Sequence, residues 1–316
     1  MLSWEERRQL VKTANLYYIE GWTQEQIAKK VGVSRPVISK QLQKAKDFGI
    51  VEVFIKDESL HTVELEKELE NRFQLKDAVV VPTEGYSSDL SKKAIGQAAS
   101  NYVSKNLKNV NKIGISWGTT LAEVVKEYPY ERRENIKIIP LVGGMGSQHV
   151  EIHANQLSYE LAKKMHGSCS YLYIPAVIES AELKDRLVNM HDVKTVLEEG
   201  KKVDMALVGI GYPYQDSILR KVGYLNDEDI EEFRKAGVVG DISSRFLDVT
   251  GHPINHKIND KVIGITLEDL KQIQTVVGVA EGINKKESIL GALKGNYLDV
   301  LIIDEPTASA LLALDS

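Results

Sequence analysis

The apolar positions of this chain change period between its first fifty residues and the rest. Over residues 4–20, Leu10, Val11, Ala14, Tyr17 and Tyr18 recur at helical spacing with Arg7, Arg8 and Lys12 off that stripe, which predicts a helix closed by Gly21. Thr23-Gln24-Glu25-Gln26 has the form of a capping box, with Gln26 placed to reach back to the Thr23 amide. It opens a second helix whose apolar face is Ile27, Ala28 and Val31. Gly32 stands where a left-handed stop residue belongs. Ser34 is placed to cap a third helix, with Pro36 in its first turn and Val37, Ile38, Leu42 and Ala45 inward. A second alternation, over residues 49–55, predicts a strand that forms the wing of a winged helix-turn-helix. Residues 57–76 place Leu60, Val63, Leu65, Leu69 and Phe73 among charges and predict a connecting helix, which either packs on its own body or pairs with a second copy.

From residue 77 short apolar runs alternate with helical stretches. Strands are expected over 78–81, 112–116, 136–142, 171–174, 205–209, 276–280 and 300–303. Helices are expected over 90–107, 120–127, 155–165, 184–189, 227–235, 287–293 and 307–314. Such alternation implies an α/β body with a doubly wound, mostly parallel sheet, preceded by an all-α head. The expected division is a head over 1–56, a connecting helix over 57–76 and a body over 77–316, in keeping with a length of 316 residues.

Charge sharpens this division. The chain has 40 Lys and Arg against 45 Asp and Glu, a net of −5 that read globally argues against nucleic acid. Residues 1–56 nevertheless hold ten basic and six acidic side chains, and Trp22 to Lys46 six basic against one acidic. A basic helix-turn-helix suits the major groove of DNA. Arg35 and Gln43 can read bases bidentately, and Lys40 and Lys44 suit phosphates. With Gln24, Ser34, Pro36 and Ser39 they form the expected DNA-contacting set. Helix-turn-helix modules usually bind paired half-sites, so a homo-oligomer is expected. Cys169 is the only cysteine, which excludes an intrachain disulfide and a Cys-based metal site. The N-terminal segment has no signal-peptide stretch and no apolar run reaches bilayer length, so a cytosolic location without membrane attachment is expected.

Four expected strand ends in the body carry glycines: Gly118-Thr119-Thr120, Gly143-Gly144-Met145-Gly146, Gly209-Ile210-Gly211 and Glu281-Gly282 before Asn284-Lys285. Gly118-Thr119-Thr120 is the most pointed, since a glycine, two hydroxyls and a helix N-terminus suit an anion, and Lys285 can add a charge. Together they point to a phosphorylated small molecule. No Walker loop and no complete G-x-G-x-x-G occurs, and no cofactor is implied. Asp241 follows a glycine in an apolar setting and suits either sugar hydroxyls or a helix cap. His149, Glu151 and His153 do not place three ligands on one helical face, so hydrogen bonding is expected there rather than a metal.

These segments resemble the SorC family of sugar-sensing bacterial transcriptional regulators over nearly the whole chain. Residues 16–18, 23–28 and 34–39 resemble that family's helix-turn-helix, and 114–120, 208–211, 240–246 and 284–285 its effector domain. The resemblance implies a body with the fold of sugar-phosphate isomerases and of the glucosamine-6-phosphate deaminase group, without their catalysis. It implies a phosphate at Gly118, Thr119 and Thr120 with help from Lys285. Sugar contacts are implied from Gly143 and Gly144, from His153 and Asn155, and from Gly209 and Asp241. It also implies a homotetramer built as a pair of dimers. One branch of the family carries a Lys before this Gly-Gly pair that forms a Schiff base with the effector; another carries an Arg. Val142 stands there in this chain, which argues against a covalent effector and a second phosphate at that point. The expected effector is a monophosphorylated sugar or polyol. The competing expectation is an enzyme, a sugar-phosphate isomerase or deaminase with an accessory head, for which Asp241 and His153 are the only candidate bases.

Overall fold

A computed structural model describes residues 2–51, 60–144, 146, 148–215, 217–221 and 223–314. The chain divides into two compact units between Leu60 and His61.

The first unit holds α1 (Trp4–Ala14), continued by a wide turn over Asn15–Ile19, then α2 (Gln24–Val31) and α3 (Arg35–Asp47). Local signals account for these elements. The Thr23–Gln26 capping box forms, with the Thr23 amide donating to Gln26 Oε1 at 2.8 Å and the Gln26 amide to Thr23 Oγ1 at 3.3 Å. Gly32 takes the left-handed conformation that stops α2 (φ 77°). A second capping box, Ser3–Glu6, starts α1. Ile27, Ala28, Ile38 and Leu42 form the buried centre of this unit. Val31 and Val37, expected inside, are instead each 40% exposed. Val37 stands one residue before Ile38, and 100° of helical rotation carries it outside, whereas Val31 shares the stripe of Ile27 and Ala28 but is the last residue of α2, at the edge of the packed surface. The expected wing over 49–55 falls largely on residues outside those described.

The second unit takes in α4 (Leu60–Phe73) from its second residue onward. It continues through β1 (Asp77–Val81), α5 (Ser88–Lys105), β2 (Lys112–Ile115), α6 (Thr119–Glu127), β3 (Lys137–Pro140), α7 (Ala154–Met165), β4 (Ser168–Cys169), α8 (Ala181–Val188) and α9 (His191–Gly200). Then follow β5 (Met205–Gly211), α10 (Ile218–Lys221), α11 (Asp227–Ala236), β6 (Val238–Ile242), β7 (Arg245–Asp248), α12 (Lys257–Lys261), α13 (Leu267–Lys271), β8 (Thr275–Val279), α14 (Lys286–Lys294), β9 (Val300–Asp304) and α15 (Glu305–Leu314). The main sheet runs β1-β9-β8-β5-β2-β3-β4, parallel throughout, and β6 pairs antiparallel with the end of β5 and with β7. Every interior strand is apolar on both faces because helices cover both. One core layer lies under α5, α6 and α7, and the other under α4, α14 and α15.

Helix α4 packs on the body of its own chain. Leu65 and Leu69 enter the core, Glu66 and Glu70 accept from the amides of Val80 and Ala78, and Arg72 donates to the Leu312 carbonyl. The strand expected over 171–174 does not form. The Leu172 amide donates to Asn155 Oδ1 and its carbonyl accepts from Asn155 Nδ2, so a side chain takes the place of a neighbouring strand.

Candidate functional site

The chain leaves β2 for β3 on one side and re-enters at β5 on the other. The adjacent parallel strands β2 and β5 therefore flank the point where the winding reverses, and in doubly wound sheets ligands bind beyond the carboxyl ends of the strands there. A cavity of about 430 Å³ opens at that place. Gly118, Thr119, Thr120, Gly209, Asp241 and Lys285, spread over 168 positions of sequence, all line it.

Gly118 occupies the N-cap position of α6 with φ 131°, a conformation closed to other L-residues without strain, and no side chain caps the helix. The first-turn N–H groups of α6 and the Thr119 and Thr120 hydroxyls are thus presented at one spot, the arrangement that holds an anion. Opposite, Asp304 fixes the β8–α14 loop. Its Oδ2 accepts from the Gly282 amide at 2.9 Å and its Oδ1 from the Thr307 amide at 2.9 Å. That loop delivers Lys285, whose pKa is lowered chiefly by desolvation, with Lys92 acting in the same direction and Glu281 and Asp241 opposing.

Asp241 is 5% exposed and sits across from Gly211 in the β5–β6 register. A Cβ at Gly211 would lie 1.9 Å from Asp241 Oδ1, so only glycine leaves the carboxylate room. Burial pushes the Asp241 pKa up to about 6, against a hydrogen bond from the Ser244 amide and the attraction of Lys285. The turn after Asp241 is left-handed at two successive non-glycine residues, Ser243 (φ 52°) and Ser244 (φ 66°). Three hydrogen bonds hold it: Ser243 Oγ to Ser116 Oγ, Trp117 Nε1 to Ser244 Oγ, and the Ser244 amide to Asp241 Oδ2. The hairpin carrying the carboxylate is thereby tied to the loop carrying the anion site. A phosphate at one end and hydroxyls at the other match this pattern of donors and acceptor.

Gly143, Gly144, His153 and Asn155 do not line this cavity. A Cβ at Gly143 would lie 2.5 Å from the Ile174 carbonyl oxygen, so that glycine serves close backbone packing. His153 Nε2 meets the Gln148 carbonyl at 2.9 Å, and His149 pairs with Glu151 at 3.5 Å. Val142 is fully buried and also outside the lining. Lining residues that sequence reading passed over include Ser88 and Lys92 on α5, Tyr212 and Gln215 after β5, and Ser243. Lys92 is four residues after Ser88, the one sequence signal that the two share a helix face.

In the first unit, Ser34, Arg35, Pro36, Ser39, Lys40, Gln43 and Lys44 are all exposed on α3, and Gln24 is half-buried at the start of α2. Arg35, Ser39 and Gln43 fall on one stripe and Pro36, Lys40 and Lys44 on the adjoining one. Ser34 is the N-cap residue of α3, yet its hydroxyl makes no capping bond. Gln43 donates to Asp47 at 2.9 Å and Lys44 lies 3.7 Å from Glu6, exposed contacts that cost little to exchange for a nucleic-acid partner.

The Sugar-bind family model, a sugar-binding domain, matches residues 57–313. The deoxyribonucleoside regulator of Bacillus subtilis is 33% identical over 313 residues, covering 97% of this chain and 98% of that protein. The full-length sorbitol operon regulator SorC from Klebsiella pneumoniae superposes with a TM-score of 0.77 at 31% identity, over 96% of this chain and 98% of that one. A DeoR family transcriptional regulator from Listeria monocytogenes superposes with a TM-score of 0.75 at 42% identity, over 79% of this chain and 99% of that one.

Proposed function

The chain belongs to the SorC family of sugar-binding transcriptional regulators, and from that premise we propose that a phosphorylated sugar or polyol in the β2–β5 cavity sets how tightly the head holds operator DNA. The protein is a DNA-binding regulator of carbohydrate metabolism. The observation that carries the effector reading is the convergence of the uncapped α6 N-terminus, Lys285 and the buried Asp241 carboxylate on one cavity. The α6 amides and Lys285 complement the phosphate, and Asp241 accepts from sugar hydroxyls. The cavity senses rather than turns over its ligand, the assembly is a homotetramer of paired dimers, and the protein works in the cytoplasm.

Operator binding measured with and without added sugar phosphates tests this reading. An effective ligand shifts operator affinity by about 5- to 150-fold, the range of ordinary allosteric coupling. The same sugar phosphates are recovered unchanged; measurable isomerised or deaminated product overturns the regulator-only reading. Thr120→Val removes one hydroxyl from the anion site and weakens the effector response without altering ligand-free DNA affinity. An unchanged response places the phosphate elsewhere.

Arg35 and Gln43 read bases and Lys40 and Lys44 hold phosphates. Arg35→Ala costs about 1–3 kcal/mol on operator DNA and blurs base preference, whereas Lys44→Ala lowers the salt slope by about one and affects all sequences alike. Binding titrations at several salt concentrations distinguish the two, and equal losses on random DNA show that α3 is not the reading helix.

A further inference from the structure

Helix α5 lies against α6 because Gly96 has no side chain. A Cβ there would come within 2.8 Å of the Glu123 carbonyl carbon and 2.9 Å of the Glu123 Cβ. Lys92 and Ser88 stand one and two turns before Gly96, on the same stripe of α5. The close crossing that Gly96 permits therefore brings them beside the N-terminus of α6, and both line the effector cavity.

Lys92 is half-buried, and no ion pair engages it among the described residues. Its ammonium disfavours charge on Lys285, with which it shares the cavity lining. Lys285 has Glu281, Asp241 and Asp304 to offset it. Two cations that repel each other and line one cavity from different elements, together with a helix N-terminus, suit an anion between them that carries more than one charge.

We propose that Lys92, with the Ser88 hydroxyl, is a second cationic arm of the effector site, closing from α5 on the same terminal phosphate that Lys285 meets from the β8–α14 loop. This arm makes the cavity select a dianionic phosphomonoester over a singly charged sugar acid. It rests on the reading that the cavity holds a phosphorylated effector.

Isothermal titration of the full chain with inorganic phosphate at pH 8, and with gluconate as the singly charged probe, tests the arm. The wild-type chain binds phosphate in preference to gluconate. Lys92→Gln weakens phosphate binding by about tenfold, the loss expected for one hydrogen bond to a charged group, and narrows that preference. Lys92→Arg keeps binding near the wild-type value, and Lys93→Gln, which removes the same charge from an exposed neighbour, leaves it unchanged. If Lys285→Gln loses phosphate while Lys92→Gln binds it as tightly as the wild type, the second arm is wrong and the cavity reading stands. Equal losses in Lys92→Gln and Lys93→Gln reduce the effect to overall charge and overturn the arm. No phosphate binding by the wild-type chain overturns both.

Discussion

Arg245→Met lowers the melting temperature of this protein by on the order of 10 °C, although residue 245 does not line the β2–β5 cavity. The Arg245 guanidinium donates to four backbone carbonyls, those of Asn259 (2.6 Å), Val262 (3.2 Å), Gly264 (3.2 Å) and Ile265 (3.3 Å). Desolvation lowers its pKa to about 10, with Asp269 and Asp260 acting the other way, so backbone dipoles carry much of the compensation for its charge. The segment it grips runs on beside β3: the Ile265 amide donates to the Leu141 carbonyl and the Gly143 amide to the Ile263 carbonyl. Met fills similar space but leaves those carbonyls without a donor. Each part-buried orphan costs about 1–3 kcal/mol before water recovers some of it, which makes about 3 kcal/mol a reasonable total. Thermal denaturation followed by circular dichroism checks this, and a shift of only a degree or two shows that the segment holds itself in place. Arg245→Lys retains one donor group and falls between the two.

Asp241→Asn has the opposite sign for stability and a large effect on function. The carboxyl has its ordinary pKa of 3.8 in the unfolded chain and one of about 6 when folded, because burial disfavours its charged form more than the Ser244 amide and Lys285 favour it. A folded pKa above the unfolded one means that the folded state holds the proton more tightly between those values. Stability associated with this group is therefore full below about pH 4 and is lost as pH rises through 6. The loss at neutral pH is up to about 3 kcal/mol. Asn cannot ionise and its side-chain oxygen can still accept from the Ser244 amide. The variant therefore melts above the wild type at pH 7.5, and the gap closes as pH falls toward 4. A gap that stays constant over that range would falsify the burial account. On the proposed reading the same variant also removes the charged acceptor assigned to the sugar hydroxyls, and its operator binding ceases to respond to added sugar phosphate.

Much of the head is legible from sequence because its determinants are local. The capping box at Thr23 and Gln26, the left-handed stop at Gly32 and Pro36 in a first turn all act within a few residues. Val11, Tyr18, Val31 and Val37 are exceptions, since each is apolar at a position read as inward yet is exposed: hydrophobicity alone does not say which edge or end of a narrow stripe is covered. In the body, the apolar runs mark all but one of the expected strands. The segment over 171–174 is apolar enough for a strand, but the Asn155 side chain occupies its backbone groups. The β6–β7 hairpin is silent in the sequence for a related reason. Its left-handed turn is made by Ser243 and Ser244 rather than by Gly or Asn, and it exists because distant side chains hold it.

By itself, the sequence determined the helix-turn-helix, the alternation that builds a parallel sheet, and the glycine, hydroxyl and lysine at two helix starts. Each of these is an interaction within one turn or one strand. Which of those residues meet was decided only by the winding of the sheet. It set β5 beside β2, carried β6 across Gly211 so that Asp241 reached the cavity, and let α5 approach α6 at Gly96, with Lys92 lining the same cavity as Thr119 and Thr120. It also left Gly143, Gly144, His153 and Asn155, equally pointed as sequence, outside that lining and engaged with backbone. A binding site needs polar groups from several strand ends within a few ångströms, and sequence spacing does not measure that distance.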